Sequence, residues 1–110
     1  MFLGEPFHDQ RRYHHDILTL LEAKIQPQRA ADLTRLLREL LPSTRSFPGC
    51  KGVAANLSED GAGFVLVEHW DSKEAHQKYS AWRATTDHGK QFRELLDAPP
   101  SIRYFNPLEV

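Results

Sequence analysis

Few side chains in this sequence can move a proton near neutral pH from an aromatic setting. Glu68 and His69 precede Trp70, His76 lies three residues before Tyr79, and His88 lies four before Phe92. Histidine is the natural base in that pH range. A base set among aromatic rings and hydrogen-bond donors is equipped to take a proton from a bound ligand and to steady the charge that develops. His88 shares a predicted helical face with Phe92 and Leu95, so its ring is expected at the interior or the pocket rim. It serves there as base or orienting donor, or else as a helix-start histidine bonded to local backbone, and the two roles balance. His76, one turn from Tyr79, faces either the pocket or solvent, and solvent is favoured. His69 alternates with Trp70 and points to the opposite side of the strand, where a structural hydrogen bond is expected. Trp70 is expected on the helix side with Leu66 and Glu68, and burial alone makes it a core aromatic. Glu68 is then a carboxylate that must be paired or protonated: a base, or more simply the partner of Arg83 or Arg103.

The elements that must position these residues follow from hydrophobic period and punctuation. Ile17 to Ile25 is rich in residues that suit a pleated surface and runs into Pro27, which reads as a strand. Leu33, Leu36, Leu37, Leu40 and Leu41 recur at the spacing of one helical face, predicting a helix over 28–41 that Pro42 ends or kinks. Phe47-Pro48-Gly49 is a turn, Cys50 to Leu57 a second strand, and 58–63 a hairpin loop. Phe64 to Trp70, dense in β-branched and aromatic residues, is a third strand. Asp71-Ser72-Lys73-Glu74 has the form of a capping box with Asp71 as the cap, opening a helix to about Trp82. A short helix over 87–96 is broken by Pro99-Pro100, and Ser101 to Phe105 is a last strand.

Strand, helix, strand, then strand, helix, strand is the split βαβ order of the α+β ferredoxin-like fold, βαββαβ with a four-stranded antiparallel sheet. Right-handed crossovers put both helical segments on one face. The third strand directs Phe64, Leu66 and Trp70 to one side and Val65 and Val67 to the other, and Ile17 to Leu21 is likewise apolar on both sides. A sheet with one wet face alternates apolar and polar residues. The bare face therefore needs a cover, and a second copy of the same sheet is the simplest, which predicts a homodimer through the open sheet face.

Length and composition bound the rest. The 110 residues make one domain, about 16–107, after a polar arm over 1–15 whose His8, His14 and His15 match no ligand spacing. Fourteen basic against fifteen acidic residues show no basic face for nucleic acid and no polybasic run for a membrane. The single Cys50 excludes an internal disulfide and a cysteine-rich zinc site and fits a reducing compartment. With no long apolar run and no signal-like N-terminus, the chain is expected in the cytoplasm, with no metal site.

The order and spacing of these pieces resemble the antibiotic biosynthesis monooxygenase family. The likeness spans about Asp16 to Pro107. It is carried by the strand ending near Pro27, the Pro48-Gly49-Cys50 turn, the Glu68-His69-Trp70 strand end, Asp71-Ser72, and the stretch Thr85 to Phe92 followed by Tyr104-Phe105. It implies dimeric α+β barrels of ferredoxin-like subunits with one pocket per subunit between sheet and helices, lined by the aromatic at the Trp70 position. It also implies mixed activities: oxygenation of quinols or anthrones without metal or flavin, haem degradation, and processing of small signals. The expectation is a cofactor-independent monooxygenase of a small aromatic or quinol substrate with molecular oxygen as co-substrate. His88, Trp70 and Glu68 form its catalytic set, and Leu66, His76, Tyr79 and Phe92 its substrate contacts. Thr85-Thr86, His88 and Phe105-Asn106 also resemble the autoinducer-2 subgroup, which keeps processing or isomerisation of a small signalling molecule open. A non-catalytic dimer binding haem or another apolar ligand, with His88 as axial ligand, is a third possibility. Leu66 stands where some quinone-forming members have asparagine, and Leu21 or its neighbours where haem-degrading members do.

Overall fold

A computed structural model describes residues 16–110. The predicted arm over 1–15, with its three histidines, lies outside the described residues. β1 (Ile17–Lys24) leads through a 3-10 turn (Pro27–Arg29) to α1 (Ala30–Arg45), followed by β2 (Cys50–Leu57) and β3 (Gly63–Trp70). α2 (Lys73–Ala84), α3 (Asp87–Leu95) and β4 (Ser101–Phe105) complete the order. The strands form one antiparallel sheet in the order β2-β3-β1-β4, the ferredoxin-like arrangement predicted.

Two helix boundaries differ from expectation. α1 passes through Pro42 to Arg45 instead of stopping at Leu41. Proline removes one helical hydrogen bond, but Leu40, Leu41 and Thr44 are buried in the core, and that burial holds the last turn in place. The cap of α2 is Ser72, not Asp71: its hydroxyl accepts from Ala75 N at 3.0 Å. Asp71 instead ties the helix entrance to β2, donating its N–H to the Gly49 carbonyl (2.8 Å) and pairing with Lys51 (3.3 Å). Gly49 itself adopts φ +93, and a Cβ there would meet that of Ala75 at 2.7 Å, so the turn admits α2 only with glycine.

The sheet divides as the alternation predicts. One face carries Trp70, Glu68, Leu66 and Phe64 of β3, all buried, and packs with Leu33, Leu36, Leu37, Leu40 and Leu41 of α1 and Leu95 of α3. Leu18, Leu20, Val65 and Val67 point the other way and are only half-buried, while Phe105 of β4 is 39% exposed. Among the described residues no helix is long and apolar enough to cross a membrane.

Candidate active site

β-sheet register assembles the site. Thr19 of β1 pairs with Glu68 of β3 on one side and Tyr104 of β4 on the other, so three polar side chains form a row on the helix-facing side of the sheet. Two residues along on the same face, Trp70 stands opposite Ile17 and Cys50. α2 then lowers His76 and Tyr79 onto the row. His76 is 2% exposed, which corrects the expectation that it faces solvent. The reason is its contacts: its ring meets Trp70 edge-on at 5.5 Å and Tyr104 at 5.4 Å.

These groups form a buried chain of polar contacts. Trp70 Nε1 donates to Glu68 Oε1 at 2.8 Å, Glu68 Oε1 lies 3.8 Å from His76 Nε2, and His76 Nδ1 shares a hydrogen bond with the Tyr104 hydroxyl at 2.7 Å. Burial raises the Glu68 carboxyl to about 7, against a partial lowering by the Trp70 N–H. Burial holds His76 below its ordinary value, and burial together with the nearby Glu68 raises Tyr104. Near neutral pH the row thus holds a neutral imidazole beside a carboxyl poised between its two forms. With Nε2–H turned to Glu68, Nδ1 is the acceptor, a tautomer we assign from the neighbours. Such a pair can take a proton on one side and return one on the other.

Glu68 has no arginine partner among the described residues, contrary to the expected ion pair. Arg103 pairs with Glu22 at 2.7 Å, and Arg83 turns elsewhere. Arg83 Nη2 donates to the Leu40 carbonyl (3.0 Å), Ser43 (2.7 Å) and Thr44 (3.1 Å), while its Nε donates to the Tyr79 hydroxyl (3.1 Å). Tyr79 joins the two clusters, with its hydroxyl 2.7 Å from Thr44 and its ring 5.2 Å from Trp70.

Trp70, Glu68, His76 and Tyr79 are brought together. His88 stands apart: its side chain is 38% exposed and its Nε2 lies 3.5 Å from Glu39 of α1, not at the interior. Its helix starts hard against α2, where a Cβ on Gly89 would run into the Arg83 carbonyl. Leu66 and Phe92 belong to the apolar core, with Phe92 edge-on to Phe64 at 5.8 Å. The hollow implied beneath Trp70 is filled in this structure. Trp70 is wholly buried and packed by Phe47, His76 and Tyr79, whose rings take up the space. A concavity of about 670 Å³ opens instead at the opposite end of the sheet, lined by Glu22, Lys24, Asn56, Leu57, Phe64 and Pro99 among others.

Thr19 and Tyr104 were not singled out for chemistry from the sequence. The signal was present: each is a polar-tipped residue at core parity in its strand, like Glu68, and the three strands are neighbours. Among the described residues, no group of three or more His, Cys, Asp or Glu side chains is placed to hold a metal.

Solved structures share this fold. A conserved protein from Methanosarcina mazei Go1 superposes with TM-score 0.71 at 16% identity, over 88% of this chain and 97% of its own. Rv0793 from Mycobacterium tuberculosis gives 0.67 at 24% identity, over 86% and 97%. A Bordetella bronchiseptica protein bearing the antibiotic biosynthesis monooxygenase name gives 0.70 at 23%, over 86% and 99%. Comparison with curated proteins finds no match. The sequence model describing antibiotic biosynthesis monooxygenases matches residues 17–95, from the first strand through the last helix. The strands that carry Thr19 and Glu68 and the helix that carries His76 all lie within that match, and the chain belongs to the antibiotic biosynthesis monooxygenase family.

Proposed function

We propose that this chain is a cofactor-independent monooxygenase of a small phenolic or quinol substrate and that it works as a homodimer. The supporting observation is the buried row in which Glu68 and His76 meet Trp70, with an imidazole nitrogen already bonded to a phenol, that of Tyr104. His76 Nδ1 removes the phenolic proton of the substrate, here an anthrone in its phenol form. The resulting anion gives one electron to O2, and the two radicals combine into a carbon–oxygen bond. The peroxide anion takes its proton back from His76, and the hydroperoxide then gives up its remaining C–H proton to His76 and, with a proton from Glu68, releases water. A CH2 carbon becomes C=O, the second oxygen atom leaves as water, and the carbon supplies all four electrons that O2 accepts. Trp70 walls the row from water and, through its N–H, holds the Glu68 carboxyl in line.

Oxygen uptake with an anthrone and hydroquinone panel on metal-free protein tests this chemistry. His76→Gln is expected to lower kcat about 100-fold or more. No uptake above the protein-free rate, or uptake indifferent to that substitution, overturns it.

The dimer is supported by Leu18, Leu20, Val65, Val67 and Phe105, an apolar set on the sheet face away from the helices. A second sheet covers it by isologous contact. Sedimentation equilibrium at micromolar concentration is expected to give twice the chain mass, and Val67→Lys to give the monomer. A monomeric parent protein rules the dimer out.

A further inference from the structure

The site contains its own phenol. The Tyr104 hydroxyl lies 2.7 Å from His76 Nδ1, the atom assigned above as the base. We propose that Tyr104 is an internal stand-in for the ligand: the place its hydroxyl holds on His76 is the binding position for the hydroxyl of a small dihydric phenol, and β4 yields that place by releasing the side chain.

Three observations support this. First, β4 is an edge strand of five residues that pairs only with β1, and four of the five are exposed in the single chain, of which Phe105 belongs to the proposed dimer face. Strands with so little buried surface open at low free-energy cost compared with the core. Lys73 of α2 lies over the Tyr104 ring at 5.2 Å, a contact that a phenolic ligand in the same place would also make. Second, every other wall of the row is closed, since Trp70, Glu68, His76 and Thr19 are each 2% exposed or less. Departure of Tyr104 is therefore the route that exposes His76 without dismantling the core. Third, Thr19 sits beside Tyr104 in the register, is wholly buried, and has a hydroxyl with no partner among the described residues. A buried unpaired hydroxyl is costly, and Tyr104, whose hydroxyl is held on His76, makes no bond to it. A ligand with a second oxygen can make one, which selects dihydric phenols over simple ones.

The catalytic meaning of this site rests on the monooxygenase proposal, but its occupancy does not, so binding is measured without oxygen. Anaerobic titration of hydroquinone and of phenol, followed by tryptophan fluorescence, compares the parent protein with Tyr104→Phe and Thr19→Val. Removing the competing hydroxyl leaves the ring packing in place and is expected to tighten hydroquinone about fivefold, the equivalent of one net hydrogen bond. Thr19→Val is expected to weaken hydroquinone severalfold and to leave phenol unchanged. Nitration of Tyr104 by tetranitromethane should quicken when hydroquinone saturates the protein, a readout that needs no variant. Equal or weaker binding by Tyr104→Phe, slower nitration, or no binding by any form overturns the stand-in. If Tyr104→Phe instead loses kcat at constant KM in aerobic assays, Tyr104 is a proton relay and the stand-in is likewise overturned. Tighter anaerobic binding with no oxygen uptake leaves the binding site standing and removes the monooxygenase.

Discussion

Two buried polar clusters lie side by side against Tyr79, and they are built on opposite terms. Around Arg83 every group has a partner: its guanidinium donates to Tyr79, the Leu40 carbonyl, Ser43 and Thr44, and it also lies over the Tyr79 and Trp82 rings. Around Glu68 the pairing is incomplete. The carboxyl is raised to about 7, its contact with His76 is long at 3.8 Å, and Thr19 next to it has an unpartnered hydroxyl. A fully connected network rigidifies a fold, whereas an incompletely connected one keeps donors and acceptors available to something that arrives later. The first cluster locks the end of α1 onto α2. The second leaves Thr19 and the Glu68 carboxyl open to a further contact.

The largest effect is expected from breaking the connected cluster. Arg83→Ala removes four hydrogen bonds and leaves buried acceptors unmet, so urea unfolding should show a loss on the order of 4 kcal/mol. A loss under 1 kcal/mol would mean that the network does not hold the helix end.

Next comes the acid dependence of the other cluster. Glu68 titrates at about 7 when folded against an ordinary 4.5. Folding thus favours its protonated form, a contribution complete below about pH 4.5 and lost as pH rises through 7. His76, held below its ordinary 6.5, acts in the opposite sense: its contribution is present above about 6.5 and is lost as pH falls. Glu68→Gln removes only the first trend. Relative to the parent it should gain about 3 kcal/mol between pH 4.5 and 8, measured by denaturant unfolding at each pH. A difference that does not vary with pH would place the Glu68 titration outside this window.

The finest comparison uses two threonines of nearly equal burial, Thr44 at 1% and Thr19 at 0%. Thr44 bonds Tyr79 and Arg83, so Thr44→Val should cost about 1–2 kcal/mol. Thr19→Val, which discards an unmet hydroxyl, should be neutral or stabilising by up to about 1 kcal/mol. Thermal melts of the two variants should move in different directions, and parallel shifts would erase the distinction between the clusters.

Much of the fold was legible because strand and helix periods were unambiguous. Cys50–Leu57, Ser101–Phe105 and the alternation of Phe64 to Trp70 appear as the residues dictated. The errors lay where tertiary contact outweighed local preference. Pro42 stays helical because its neighbours are buried, and Ser72 takes the cap because Asp71 is drawn to Gly49 and Lys51. The site was half legible. Glu68 and Trp70 follow from parity within one strand, but His76 required the rotation of α2 relative to the sheet, which its weakly amphipathic sequence does not encode. Thr19 and Tyr104 gain meaning only once the pairing of β1 with β3 and β4 is known. His88 lies on the helix that carries Phe92 and Leu95 into the core, but its own ring meets Glu39 of α1 at the surface.

The outer strands have a consequence for how molecules meet at high concentration. β2 begins with an irregular register between Cys50 and Gly52, next to the charged Lys51, and β4 follows two prolines and carries Arg103. Breaks in register, charges and prolines at a rim are the devices by which sheets avoid recruiting foreign strands into endless ribbons. The rims are thereby guarded against open-ended strand addition when molecules crowd together.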